Sequence, residues 1–137
     1  MIKIILLLFI TTSIFASACQ KKSNIFNMLV KNIVQESNPK VYIHTEIASI
    51  TKYPRELKLT TNCQEADVVL LSTLKNIPKS CQNKIWFGTK YSHLKNEKVI
   101  GSFFWQKGRP NILFYKSRLK NNAINLDASF DKYIEQK

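Results

Sequence analysis

The spacing of apolar and polar positions changes several times along the chain, and each change predicts a different element. Over residues 25–34 the apolar side chains recur three and four residues apart, which is the spacing of one buried helix face. Asn38-Pro39 follows as a helix stop. We therefore predict an amphipathic helix from Ile25 to Gln35, with Ser23 or Asn24 available as its N-cap.

Short apolar runs separated by polar residues predict the strands of a sheet. Val68–Leu71 is a continuous run of β-branched residues and leucine, which suits a central strand buried on both faces. The alternation over residues 57–61 predicts a half-buried strand, and residues 41–43 and 85–87 predict two more. Short helices or turns are expected at residues 46–51, 74–82 and 91–96.

Two aromatic, β-branched runs late in the chain predict an antiparallel hairpin. Residues 99–105 and 110–115 flank a turn that contains Gly108. Pro110 has no N–H to donate, so it should begin the second strand or lie on an edge.

The end of the chain predicts two further helices. Ser117 is a candidate cap for a helix that carries Leu119. Residues 124–126 should be extended, and residues 127–135 should close the chain as a helix. Helices and strands thus interleave early and a hairpin comes late, which predicts one small α/β domain with a mixed β-sheet, flanking helices and a late antiparallel hairpin.

The first eighteen residues have the organisation of a secretory signal peptide. Lys3 precedes an apolar run from Ile4 to Ile10, and small residues follow at Ala16-Ser17-Ala18. The apolar run is too short to span a bilayer stably. We therefore expect residues 1–18 to direct export, and residues 19–137 to work as a single domain in the bacterial periplasm.

The end of this signal allows two outcomes for Cys19. Small-x-small is an ordinary cleavage motif, which would release a soluble protein that starts at Cys19. Small-small-Cys also resembles the bacterial lipobox, in which the cysteine receives a diacylglycerol, although Ala16 stands where the lipobox usually has leucine. Lipidation of Cys19 would anchor the protein to a membrane, and a free N-terminal thiol would be a liability in an oxidising compartment.

The remaining cysteines are expected to form a disulfide. Cys63 and Cys81 are the two left after Cys19, and in an exported chain such a pair is most simply a disulfide bond. A metal site would need more ligands close in sequence, and a redox pair would need Cys-x-x-Cys.

The chain is strongly basic, with 21 lysines and arginines against 9 acids. In the cytosol such a balance would suggest nucleic acid first. Outside it, anionic lipid headgroups, the cell wall or an acidic partner domain are the counter-charges to consider, so no nucleic-acid partner is predicted. A lysine-rich composition that simply reflects an AT-rich genome explains the charge better, so the charge indicates solubility and weak association, not a mechanism.

No motif for catalysis or cofactor binding is present in the sequence. Three glycines are too few for a phosphate-binding loop, and neither a nucleophile elbow nor a dinucleotide fingerprint occurs. His44 and His93 have no convincing set of metal ligands near them in sequence, and Asp67 is a lone acid. We therefore predict neither an enzyme nor a cofactor.

Partner binding is the better expectation, and the hairpin is its candidate site. Alternation places Phe103 and Trp105 on one strand face and Phe104 on the other. Trp105 beside Lys107 and Arg109 is the composition of an interface anchor, although burial of both strand faces would explain the aromatics equally well.

The last third of the chain resembles the YfiR family of small periplasmic proteins. The similarity runs through Ile100–Phe104, Lys107–Arg109, Ile112–Phe114, Leu119, Ile124–Leu126 and Tyr133-Ile134, and Ala66–Leu71 is similar to an upstream strand of the family. The resemblance implies a regulator that binds the periplasmic sensor domain of a membrane-bound diguanylate cyclase and answers to envelope or redox conditions.

These observations lead to a non-catalytic periplasmic protein that binds and modulates a membrane signalling protein. The alternative is a small-ligand-binding lipoprotein that resembles part of a solute-binding receptor.

Overall fold

The computed structural model describes the backbone of residues 2–137 and the side chains of residues 18–137. Residues 1–17 of the predicted signal peptide therefore lie outside the described side chains. The strands are β1 (Lys40–His44), β2 (Lys58–Leu59), β3 (Val68–Leu71), β4 (Ile85–Gly88), β5 (Val99–Gln106), β6 (Arg109–Tyr115) and β7 (Ile134–Glu135). The α-helices are α1 (Ile2–Val34), α2 (Ala48–Lys52) and α3 (Lys116–Asn121), and 3₁₀ helices occupy Lys79–Cys81, Tyr91–Lys95 and Ala128–Tyr133.

All seven strands form one mixed sheet, in the order β2-β1-β3-β4-β5-β6-β7. The first five strands in this order are mutually parallel, β5 and β6 form an antiparallel hairpin, and β7 is parallel to β6. All four residues of β3 are buried, which confirms the prediction of a central strand. The predicted class, a single small α/β domain with a mixed sheet and a late hairpin, is confirmed.

Helix α1 covers one face of the sheet. Its buried apolar residues are Phe26, Leu29, Val30 and Ile33, which are four of the positions that the helical periodicity placed on the inner face. They pack with residues of the central strands and with Ile50, Leu119 and Phe130 in one apolar cluster.

The start of this helix was predicted wrongly. Ser23 does not cap it, because α1 is continuous through that position. Ser23 is buried, and its hydroxyl donates a hydrogen bond to the carbonyl oxygen of Tyr53. No proline or glycine stands between residues 18 and 25, so nothing in this segment terminates a helix.

Loops and the disulfide cover the opposite face. Cys63 and Cys81 are bonded, with their Cα atoms 5.0 Å apart, as predicted. They pack with Trp86 and other residues of a second apolar cluster, and the Trp86 indole N–H donates to the carbonyl oxygen of Cys81 at 2.8 Å. Both faces of the central strands are therefore removed from water.

The hairpin closes with a two-residue turn. Lys107 and Gly108 both have positive φ, at 52° and 72°, as a type I′ turn requires. Pro110 is opposite Trp105 in the hairpin, and β7 pairs only with Phe114 and Tyr115. Pro110 therefore lies where β6 is an edge strand, as predicted, and its missing N–H makes that edge a poorer template for strand addition.

The closing helix was also predicted wrongly. Residues 128–133 form a 3₁₀ helix, and Ile134–Glu135 then pairs with Phe114 and Tyr115 as β7. Phe130 is buried as expected. Phe130 and Ile134 therefore pack inward from two different elements and not from one helix. Residues 134–135 pair with β6 because its free edge offers backbone hydrogen bonds that a closing helix would leave unmade.

Two smaller predictions also differ from the structure. The strand predicted at residues 57–61 is reduced to Lys58–Leu59, and the Leu59 side chain is 40 % exposed at the sheet edge. Helix α3 is present, but its N-cap position is Tyr115, without a side-chain hydrogen bond. The Arg118 guanidinium ties α3 to the 3₁₀ helix at Tyr91–Lys95 and to the start of β5, since it donates to the carbonyl oxygens of Leu94 and Val99 at 2.8 and 2.9 Å.

Candidate functional site

A crevice opens at the edge of the sheet where the parallel strands end. The carboxyl ends of β1, β3, β4 and β5 meet there because the four strands run in the same direction, and ligands of open α/β sheets bind outside such ends. The crevice has a volume of about 430 Å³. We call this side of the sheet the carboxyl edge.

Two segments of the chain form the walls of the crevice. One wall is the segment of α1 that contains Cys19, Lys22 and Phe26, and the other is the loop from Glu46 to Ser49 at the start of α2. The carboxyl ends of β3, β4 and β5 form the floor and the far rim, through Ser72, Thr89, Phe103, Phe104 and Trp105. A mainly apolar cavity with a few polar groups is the usual form of a small-molecule or peptide site.

The polar groups of the crevice are one carboxylate, one ammonium group and three hydroxyls, from Glu46, Lys22, Ser49, Ser72 and Thr89. The Thr89 hydroxyl donates to the carbonyl oxygen of Leu71 at 2.8 Å, so its oxygen remains as an acceptor. No histidine is among the described residues that line the crevice. The lining is suited to hydrogen bonding and apolar contact.

Both histidines of the chain are used inside the fold. His93 accepts a hydrogen bond at Nδ1 from the Thr89 N–H at 3.1 Å, so its proton is on Nε2. Burial, together with the charge of Lys90, lowers the pKa of His93 and keeps the ring neutral. His44 lies 2.6 Å, through Nε2, from the carbonyl oxygen of Lys75. Among residues 18–137, no three histidine, cysteine or acidic side chains are grouped as metal ligands.

Close packing explains why Gly88 stands behind the crevice. A Cβ atom at this position would lie 2.8 Å from the His93 Cβ and 3.1 Å from the Ser102 hydroxyl oxygen. The Ser102 hydroxyl in turn donates to the carbonyl oxygen of Lys90 at 2.9 Å. These contacts hold the strand ends and the 3₁₀ helix at Tyr91–Lys95 in place, and so they support the crevice floor.

A larger depression of about 670 Å³ lies at the other end of α1. Several of its polar side chains are paired with one another, since Lys31 contacts Glu56 at 2.5 Å and the Asn32 amide donates to Asp127 at 2.7 Å. Groups already paired in this way offer little to a ligand. We therefore take the smaller crevice at the carboxyl edge as the candidate site.

The structure brings some of the sequence-derived candidates together and separates others. Cys19 and Trp105 both line the crevice, and the Trp105 side chain is 52 % exposed. Lys107 and Arg109 are exposed at the hairpin tip beyond it. The aromatic alternation is confirmed, because Phe103 packs on Phe26 with ring centroids 5.0 Å apart while Phe104 packs on Tyr91 from the other face.

The crevice itself was missed at the level of sequence, although a signal for it exists. A polar residue follows the end of three parallel strands, at Thr45, Ser72 and Thr89, and carboxyl ends of neighbouring parallel strands share one edge. No single segment of the sequence predicts the strand order, so these three positions could be grouped only after the sheet was known.

Comparison of the chain with protein-family models, with curated proteins and with solved structures gave no match. The resemblance to the YfiR family therefore stays a prediction from the sequence motifs.

Proposed function

We propose that this chain is a non-catalytic cell-envelope protein that binds and modulates a membrane signalling protein. Residues 1–18 direct its export to the periplasm, and Cys19 carries the lipid that holds it at a membrane. The partner is the periplasmic domain of a membrane sensor or cyclase. None of the helices in the described part of the chain is long and apolar enough to cross a membrane, so the lipid is the attachment that this proposal requires.

One observation carries the proposal: the candidate lipidation site and the candidate binding site lie at the same edge of the sheet. Cys19 and Trp105 line one crevice, although they are far apart in sequence. A protein anchored at Cys19 presents this crevice to the membrane-proximal part of any neighbour in the same membrane. Lys107 and Arg109 remain candidates for partner contact because they are exposed on the hairpin that borders the crevice.

The crevice offers a partner segment both apolar contact and hydrogen bonds. Phe26, Phe103 and Phe104 supply apolar surface, and Ser72 and Thr89 supply polar groups. Trp105 on the rim provides a large, rigid aromatic side chain, the residue type most often found at energetic centres of interfaces.

The test is capture of the partner with a blocked crevice. Ala48 is exposed and lines the crevice at the first position of α2, so Ala48→Arg would fill the crevice without disturbing the core. Ala128→Arg is the matched control, since Ala128 is exposed at the first position of another short helix outside the crevice. The wild-type protein and Ala128→Arg should recover the same membrane signalling protein from detergent-solubilised membranes.

The Ala48→Arg variant should lose that protein. Equal recovery by all three forms would show that the partner does not use the crevice. Recovery of no membrane signalling protein by the wild type would contradict the proposed function as a whole.

A second candidate function is binding of a small ligand by a lipoprotein that resembles part of a solute-binding receptor. The observation that favours it is the grouping of the crevice hydroxyls with the carboxylate of Glu46 and the ammonium group of Lys22. A metabolite that raises the melting temperature of the wild type and of Ala128→Arg, but not of Ala48→Arg, would support it.

A further inference from the structure

Charge is distributed unevenly between the two ends of the sheet. The carboxyl edge consists of residues 18–22, 45–49, 72–77, 89–92 and 105–109. These segments contain Glu46 alone of the 9 acidic residues in the chain. Their basic residues are Lys21, Lys22, Lys75, Lys90, Lys107 and Arg109. The carboxyl edge therefore attracts an anionic surface, while the remaining acidic residues of the chain lie elsewhere.

The β5–β6 hairpin extends beyond the end of β4 and carries Lys107 and Arg109 at its tip. Gly88, at the end of β4, is opposite Ser102 in β5, so residues 103–106 of β5 continue past their neighbour. Four strand residues correspond to about 13 Å. The exposed Trp105 ring lies on this arm, with the Lys22 ammonium nitrogen 5.3 Å from its centroid. An indole flanked by cations is the side-chain set that the interfacial region of a bilayer favours.

A lipid on Cys19 would hold this edge against a bilayer without a flexible linker. Cys19 lines the crevice beside Trp105. Residues 20–22 alone separate Cys19 from Ser23, which is fully buried, and the whole segment is helical. The attachment point therefore lies within about one helical turn of the packed domain, and the hairpin tip stays within reach of the lipid headgroups.

From these three observations we propose that the carboxyl edge docks on an anionic bilayer surface, with Trp105, Lys107 and Arg109 in contact with lipid headgroups. The inference rests on the proposed function for the anchor at Cys19 and adds a defined lipid-contacting surface. A bilayer fits this surface better than a second copy of the chain does, because a two-fold symmetric contact would place two positive edges together. Contact of the same residues with the partner protein is the competing outcome.

The test uses the mature protein, isolated from its native membranes and reconstituted into vesicles that contain lipids brominated near the headgroup end of the acyl chain. Bromine quenches tryptophan on contact, and the chain has two tryptophans. Trp105→Phe leaves only Trp86, which is 4 % exposed, so the difference between the two proteins is the signal of Trp105. We expect the Trp105 emission to shift to the blue and to be quenched in phosphatidylglycerol vesicles, and to be little changed in phosphatidylcholine vesicles.

A charge-neutralised hairpin provides the second arm of the test. Lys107→Asn with Arg109→Gln removes two cations, and asparagine tolerates the positive φ of residue 107. Lys40→Gln with Lys120→Gln removes the same charge from the other end of the sheet, where both side chains are exposed. Each basic residue near an anionic surface strengthens binding about fivefold, so the hairpin variant should weaken headgroup contact about 25-fold. The control pair should quench like the wild type.

The possible outcomes distinguish the proposed docking surface from the proposed lipid anchor at Cys19. Protein that floats with the vesicles while Trp105 stays unquenched overturns the docking surface and leaves the anchor standing. Equal quenching in both lipids, or no effect of the hairpin variant, also overturns it, because either result would show lipid contact that does not depend on charge. If the intact mass shows no lipid but Trp105 is still quenched in anionic vesicles only, the docking surface stands and lipidation of Cys19 is wrong.

Discussion

Removal of the Cys63–Cys81 disulfide tests how much of the sheet's second face depends on a covalent bond. Both cysteines are buried, and they are 18 residues apart in sequence. The bond closes a loop that packs on β3 and β4 together with Trp86. The perturbation is the double substitution Cys63→Ala with Cys81→Ala, which leaves Cys19 as the single cysteine.

The magnitude follows from the length of the closed loop. Opening a loop of 18 residues releases chain entropy worth about 3 kcal/mol at room temperature. Loss of contacts made by two buried sulfur atoms adds to this cost, so the free energy of unfolding should fall by about 3–5 kcal/mol. A small domain has little stability beyond that, and the variant should be partly unfolded at growth temperature.

The assay is urea unfolding followed by far-ultraviolet circular dichroism, with the wild type, the double variant and reduced wild type compared. Reduction should reproduce most of the loss seen in the double variant, because it opens the loop but keeps both sulfur atoms. Cys19→Ala is the matched control, because Cys19 forms no disulfide and its substitution should leave the midpoint unchanged. A loss below about 1 kcal/mol would refute the loop-entropy argument and would show that packing alone holds the loop.

Three further predictions follow from individual contacts. Gly101→Ala should destabilise the fold by about 1–3 kcal/mol in urea titrations, because the added Cβ would lie 2.5 Å from the Phe114 ring; an unchanged midpoint would contradict this packing. Leu29→Ala should cost about 2–5 kcal/mol, since Leu29 is completely buried, whereas Met28→Ala on the exposed side of the same helix should cost far less. Because burial lowers the pKa of His93 in the folded state below its ordinary value of 6.5, the unfolded chain binds the proton more readily. The stabilisation from a neutral His93 is therefore complete above that value and declines as the pH falls below it. His93→Asn should lose less stability between about pH 7 and pH 5.5 than the wild type does, and an identical slope in the two proteins would exclude His93 as the cause.

Local patterns predicted the elements whose burial has a simple period. The inner face of α1, the doubly buried β3 and the alternation of Phe103 with Phe104 all follow from spacing, because a helix or strand must turn one set of positions toward the core. Local patterns failed where backbone pairing outweighed them. Residues 134–135 form β7 because the edge of β6 offers hydrogen bonds, which no property of that segment alone reveals.

The candidate site was likewise only partly predictable from the sequence. Cys19 and Trp105 were each identifiable in the sequence, one from the export motif and the other from an aromatic run beside basic residues. Their proximity was not identifiable, and neither was the crevice between them.

By itself, the sequence determined the inner face of α1, the doubly buried strand β3, the late hairpin, that Cys63 should bond Cys81, and that the chain is basic. Only the tertiary structure decided that the parallel strands end at one edge, that Cys19 meets Trp105 there, and that the basic residues of five separate segments collect on that side with a single acid. The physical reason is that burial and propensity act over a few neighbouring residues, whereas strand order arises from pairings between segments distant along the chain. A surface assembled from five segments exists only after those pairings are made.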